Sequence, residues 1–393
     1  MVEQATKTLS IIDADSHVTE PLDLWTSRVD VGRWGDLVPH VEWNESRQQD
    51  WWFIGSTPLV GVGMTALAGW SDYLPSYPPT FAEVDPAATQ PNARLDRLDS
   101  YGITSQILYP NILGFYAQVV LGLDDSDLRL EIFRAYNDFI SEFASTNPSR
   151  LVPVAMLPFW DIDLAIEEMH RAQGNGHRGL VFAPEFQKIG LPGIASGHWD
   201  RLFTEAEQLR LSINFHQGFA GFDSIASMAI MRPIEQYDRR SHAAQFALGI
   251  LANARTVTDI IMSGLCDRFP RLNFVSVESG FGYFPYLLQA LDWQWENDGC
   301  RREFPNLSPP SEVFRRQIYV TYWFEKIVSE LIEPYAGNVM FSSDFPHATS
   351  LSPGPNSSSA IPSVMAARGL EGVEQSIVQK VLYGNAARVY HLE

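Results

Sequence analysis

The sequence predicts an α/β fold of the (β/α)8 TIM-barrel class, with a long insertion after the first strand and a second after the fifth. Three observations predict it. Eight short β-rich runs alternate with amphipathic helical stretches, the pattern of βα units around a parallel sheet. The length of 393 residues suits one barrel with insertions, read here as a single domain over 1–393. Ionisable side chains recur at the carboxyl ends of the runs, where barrel enzymes carry their chemistry.

The first run, Ile11–Asp15, leads straight into Ser16 and His17. Strand residues two apart share a face, so Asp13, Asp15 and His17 point one way and form a candidate metal-binding floor. The plain alternative is an edge strand with a solvated tip. Residues 31–90 follow, with little periodicity but with Trp34, Trp43, Trp51, Trp52, Phe53, Trp70, Tyr73 and Tyr77. This stretch is too long for an ordinary connection, so it reads either as an aromatic lid over the barrel mouth or as a satellite cluster packed on the barrel.

The remaining strands are expected at Ser105–Tyr109, Val152–Leu157, Gly179–Ala183, Ser212–His216, Asn273–Glu278, Ile318–Phe324 and Val339–Asp344. Helical patterns fall at Asp127–Ser145, Leu164–Gln173, Asp200–Arg210, Gln245–Arg268 and Glu374–His391. The second insertion, 219–241, carries Phe222, Met228 and Met231, which suit an adaptable apolar wall, and Arg232, Arg239 and Arg240, which offer an anion contact at the entrance.

Composition narrows the function. A net charge of −19 argues against nucleic acid or an anionic membrane as partner. No apolar run reaches the length of a membrane span. Cys266 and Cys300 are the only cysteines, and the opening Met-Val-Glu-Gln has no apolar signal core, so a cytoplasmic chain without disulfides is expected. Gly280-Phe-Gly282 lacks the third glycine of a dinucleotide loop, and neither a Gly-X-Ser-X-Gly elbow nor a P-loop is present.

Four strand ends carry the chemistry. The fifth ends in His216, the sixth in Glu278, and the eighth in Asp344 with His347 three residues on. A carboxylate in apolar sequence is costly unless paired or metal-bound, and four such ends are hard to explain without a cation. Mixed carboxylate and imidazole ligands favour manganese, iron or zinc.

The segments Asp13-Ala-Asp-Ser-His17-Val-Thr-Glu-Pro21, Phe215-His216-Gln-Gly218, Val277-Glu278-Ser-Gly280 and Phe341-Ser-Ser-Asp344-Phe-Pro-His347 together resemble the amidohydrolase superfamily. They are most similar to its family 2, the branch that includes aminocarboxymuconate semialdehyde decarboxylase. The resemblance implies that Asp15, His17, His216 and Asp344 bind one divalent metal. Two departures stand out: Asp15-Ser-His17 replaces the usual His-X-His or Glu-X-His pair, and Glu278 stands where the decarboxylases place a catalytic histidine.

Adding Glu278, His347, Asp13 and His242 to those four approaches the ligand stock of a dinuclear centre. That stock resembles the dinuclear iron or manganese–iron oxygenases of the superfamily. The expectation is therefore a monooxygenase with two Fe (or Mn/Fe), using dioxygen and an electron donor to hydroxylate a sizeable apolar small molecule. The alternative is a mononuclear hydrolase or non-oxidative decarboxylase holding one Zn or Mn, with Glu278 or Asp344 as general base in a hydrolase. A catalytically silent partner subunit is a third reading, opposed by the complete ligand set. Tyr109, Tyr322 and Trp323 are candidate pocket residues, and Trp293 and Trp295 candidate interface residues of a homodimer.

Overall fold

The eight barrel strands form. The computed structural model describes residues 9–219, 239–353 and 360–392, apart from the side chains of Ser241, His242 and Gln245. In it the strands are Ile12–His17, Ser105–Tyr109, a third in two pieces (Leu151–Pro153 and Ala155–Met156), Gly179–Phe182, Ser212–His216, Phe274–Val277, Ile318–Tyr322 and Val339–Phe341. Each pairs in parallel with the next in chain order. The third strand hands over midway: Leu151 pairs with Gln106 on the second strand, and Ala155 with Leu180 on the fourth. Runs such as Phe274-Val-Ser-Val277 are buried throughout, as expected of parallel strands covered on both faces.

The ring is joined where the eighth strand's end meets the first. Asp344 N–H donates to Asp15 O at 3.0 Å, and His17 N–H donates to Phe345 O at 2.6 Å. Asp13, 0% exposed, staples this seam. Its carboxylate accepts from Ser343 N (2.7 Å) and Ser343 Oγ (2.5 Å) on the eighth-strand side, and from Gln106 Nε2 (2.7 Å) on the second strand. Gln106 Oε1 in turn accepts from Arg94, 3.1 Å away on the helix Pro91–Tyr101. Arg94 is fully buried, donates to the carbonyls of Ala87 and His17 at 2.6 Å each, and lies 4.5 Å over the Phe345 ring. Burial brings its guanidinium down to about 9, against the pull of Asp13.

Residues 31–90 contain more regular structure than their composition announced. Strands His40–Asn44, Gln49–Ile54 and Thr57–Gly61 form an antiparallel sheet. Aromatic residues on both faces of the middle strand hid the period-two signal: Trp52 and Ile54 are buried, while Trp51 and Phe53 are half-buried. Trp52 meets Trp25 edge-on at 5.2 Å. The expected single helix Gln245–Arg268 is instead three, Arg239–Gly249, Asn253–Met262 and Leu265–Arg268, the last starting after Gly264 at φ +73°. The closing helical stretch likewise divides, with a π segment at Lys380–Gly384. Among the described residues no helix is long and apolar enough to cross a membrane.

Replacing Arg94 with methionine should cost ~3–5 kcal/mol, as expected when a buried charged partner is removed. Urea unfolding measures this, and a loss within about 0.5 kcal/mol, the range of ordinary surface exchanges, would show that Arg94 does not hold the seam.

Candidate metal centre

Four candidate ligands converge at the carboxyl ends of the first, fifth and eighth strands. His17 and His216 face each other with their Nε2 atoms 3.0 Å apart. His17 Nδ1 lies 3.0 Å from Pro110 O and His216 Nδ1 lies 2.6 Å from Gln217 O. A carbonyl only accepts, so each Nδ1 carries the proton and each Nε2 presents a lone pair. Two opposed lone pairs at this distance repel, and a shared cation would turn the repulsion into attraction.

The carboxylates complete that argument. Asp15 Oδ1 lies 3.4 Å from both Nε2 atoms, and both of its buried oxygens lack a hydrogen-bond partner. Asp344 Oδ1 lies 3.7 Å from His17 Nε2 and pairs with His347 Nδ1 at 2.8 Å. Buried carboxylate oxygens left without donors are expensive, and a cation would satisfy them. Two groups of mutually close ligand atoms emerge, Asp15–His17–His216 and His17–Asp344–His347. These residues fit a divalent metal with mixed oxygen and nitrogen ligands.

Burial and charge set the protonation of the cluster. Burial pushes the Asp15 carboxyl up, but His216 and His17 outweigh it and hold it well below the usual carboxylate range. Burial and then the neighbouring charge of His347 bring His17 down to about 4. His347 is held above its ordinary value because Asp344 outweighs the effect of burial. Glu278 is pushed well above the carboxylate range by burial, then by Asp344 and Asp15.

The other predicted site residues fall in different places. The expected common face of Asp13, Asp15 and His17 is interrupted by a register shift between Asp13 and Ser16, and Asp13 is committed to Ser343 and Gln106, which leaves it outside both ligand groups. Burial lifts its carboxyl to about 7. Glu278 approaches His216 from the Nδ1 side, Oε2 at 3.7 Å, away from the facing Nε2 atoms, and also stands outside both groups. Glu278 and Asp344 have φ of 53° and 56°, left-handed backbone just past their strands that non-glycine residues adopt at a cost of about 1–2 kcal/mol per residue. The His242 side chain lies outside the described residues, as do Phe222, Met228, Met231 and Arg232. Arg239 is exposed and pairs with Asp72 at 3.9 Å, joining the two insertions.

Sequence reasoning missed the surroundings. Phe219 stacks on His216 at 4.3 Å, and Phe115 lies near parallel to His17 at 6.0 Å, so aromatic rings flank both imidazoles. Gly114 makes the room: a Cβ there would sit 2.4 Å from the Phe219 ring. Thr349 donates to Asp344 Oδ2 and Asn111 meets His347, roles that no motif spacing announced. Tyr109 lies beneath the histidines and bonds Asn214 and Tyr390 inside the barrel. A cavity of about 210 Å³ adjoins the cluster, lined by Phe246, Ile250, Trp323 and Phe324 with Gln217 and Glu278.

Comparison with known proteins accords with this geometry. Residues 12–392 match the amidohydrolase family, so the chain belongs to it. A gamma-resorcylate decarboxylase of Rhodococcus jostii (strain RHA1) is 23% identical over 275 residues, 65% of this chain and 77% of the relative. An amidohydrolase structure from Mycobacterium avium subsp. paratuberculosis K-10 superposes with a TM-score of 0.76 at 18% identity, covering 98% of this chain and 99% of that one. A dihydroxybenzoic acid decarboxylase from Polaromonas sp. JS666, solved with manganese and 2-nitroresorcinol, gives 0.58 at 18% identity over 98% of both chains. At these identities the superpositions establish the fold.

The decarboxylases among the relatives overturn the oxidoreductase expectation, and the metal named with one of them is manganese. Dioxygen, an electron donor and a pair of iron ions lose their support with it. The physical reason lies in the ligand supply, since Asp13 and Glu278, which argued for a second metal, do not join the ligand groups among the described residues.

Exchanging Asp15 for asparagine should reduce bound manganese to well below one per chain. Exchanging Asp13 for asparagine should leave manganese near the wild-type level while costing about 1–3 kcal/mol of stability through its unmatched donors. Metal analysis after dialysis, paired with urea unfolding, separates the two roles; equal metal loss in both variants would contradict the division drawn between them.

Proposed function

We propose that this amidohydrolase-family chain is a divalent-metal-dependent decarboxylase that removes CO2 from a compact aromatic carboxylic acid without dioxygen. The observation that carries the reading is the pair of opposed His17 and His216 lone pairs beside the unpartnered Asp15 oxygens, with Glu278 standing between His216 and an apolar cavity. Relatives named as gamma-resorcylate and 5-carboxyvanillate decarboxylases support the reaction class.

The residues divide by position. Asp15, His17, His216 and Asp344, with His347 beside Asp344, are assigned to the metal; manganese suits this donor set. When bound, the metal supplies positive charge that holds the substrate's oxygens. Among the described residues no lysine or arginine lines the cavity, so the metal is the cation assigned to the substrate carboxylate. The aromatic wall of Phe246, Trp323 and Phe324 packs the ring. At about 210 Å³ the cavity is smaller than the ~300–1,000 Å³ pockets of drug-sized ligands, which favours a compact acid over the sizeable substrate expected from the insertions.

Decarboxylation breaks the bond between ring carbon and carboxylate carbon. The electron pair stays on the ring, CO2 departs, and one proton must reach that carbon. Glu278 is the one ionisable residue among the described lining of the cavity, and its carboxyl group is assigned as the proton donor. It thereby takes the place that the family's decarboxylases give to a sixth-strand histidine. The left-handed backbone at residue 278 turns this side chain toward the cavity at the strand's end.

The test is CO2 release from a panel of hydroxylated benzoates by manganese-loaded protein, with and without oxygen. Release should depend on manganese and be indifferent to oxygen, and Glu278→Gln should lower kcat by about 10²–10⁴-fold, the usual worth of a positioned acid, with manganese per chain unchanged. Failure to release CO2 from every acid tested, alongside hydrolysis of an amide or ester, would replace the decarboxylase with a hydrolase.

A further inference from the structure

The geometry points to Asn111 as a positioning residue that fixes the ring of His347 by holding the proton on Nε2, thereby aiming Nδ1 at Asp344. Asn111 follows the second barrel strand and is 0% exposed. Its side-chain amide can be placed without ambiguity. Nδ2 lies 2.9 Å from Val18 O, and a backbone carbonyl only accepts, so the NH2 end must face Val18. Oδ1 therefore faces His347 Nε2 at 2.7 Å. An amide oxygen cannot donate, so Nε2 must carry the hydrogen. Nδ1, on the other side of the ring, lies 2.8 Å from Asp344 Oδ1.

Asn111 is itself held from behind. Glu20, 1% exposed, accepts from the backbone N–H groups of Asn111 and Ile112 at 2.9 Å each through one oxygen. The sequence segment His17-Val-Thr-Glu20 thus supplies a candidate ligand, the carbonyl of Val18 that orients the Asn111 amide, and the carboxylate that anchors its backbone. The chain Glu20, Asn111, His347, Asp344 runs from the first strand's exit, through the second, to the eighth. His347 stands with its ring centroid 3.9 Å from that of His17, so any rotation would disturb both ligand groups. Partners that orient metal ligands typically govern affinity by about 10–100-fold.

This inference rests on the reading of His17, Asp344 and His347 as a metal-facing set, not on the reaction assigned to it. Its first test is the ring 15N spectrum of His347 in the zinc-loaded wild-type protein. A protonated Nε2 is expected, whatever the state of Nδ1; a bare Nε2 overturns the assignment. The second is manganese affinity read by electron paramagnetic resonance. Asn111→Leu, of similar size but without the acceptor, should weaken binding at least about tenfold, whereas Asn111→Asp, which keeps an oxygen toward His347 but loses the bond to Val18 O, should fall between Asn111→Leu and wild type. In a His347→Gln background Asn111→Leu should add nothing, because it acts through the missing ring.

Wild-type affinity in Asn111→Leu, or an equal loss with and without His347, overturns the proposal. Should Asn111→Leu not fold, the wild-type 15N spectrum decides alone. Absence of CO2 release would sink the decarboxylase and leave these readouts standing.

Discussion

A single buried carboxylate closes the ring. Asp13 accepts from the second strand through Gln106 and from the eighth through both the backbone and the hydroxyl of Ser343, while sitting on the first. A charge at this depth is tolerated only when its acceptor sites are filled, so its hydrogen bonds fix the mutual register of three strands. The positions of Asp15, His17 and Asp344 follow, because they lie one to four residues beyond the staple. Arg94 extends the same logic outward by binding the carbonyl of His17 and backing Gln106.

The cluster at the barrel mouth is arranged against its own electrostatic interest. Burial and then Asp344 and Asp15 raise the cost of ionising Glu278 beside them, and the imidazoles present lone pairs to one another. The packed aromatic rings of Phe115 and Phe219 and the bonds from Pro110 and Gln217 prevent the side chains from relaxing apart. Such preorganisation places donors where a cation belongs and does so at the expense of apo-state stability.

Much of this was legible in the sequence, and the remainder has identifiable causes. Period-two alternation ending in an ionisable residue located Asp15, His17, His216, Glu278 and Asp344, because parallel strands put such side chains at one end of a barrel. Strict alternation puts Asp13 and Asp15 on one face, so they looked equivalent; the register shift between Asp13 and Ser16, after which one staples strands and the other faces the histidines, has no sequence signature. Nor can alternation report which nitrogen a carboxylate approaches: Glu278 stands on the Nδ1 side of His216. Arg94 sits on a helix with no motif around it, and Asn111 lies in a loop, so both were missed. The sheet within 31–90 was hidden by aromatic residues on both faces of one strand.

The floor of the site has a consequence for the order in which the donor cluster is assembled. Tyr390 reaches into the barrel to bond Asn214 on the fifth strand and Tyr109 on the second, a contact spanning 281 residues. Asp13 and Ser343 are separated by 330. Contacts of this range form late, after shorter loops have closed. During synthesis, therefore, His17 and His216 can both emerge long before the geometry that opposes them exists. The donor set is complete only once the C-terminal end of the chain, with Ser343, Asp344 and Tyr390, has taken its place in the barrel.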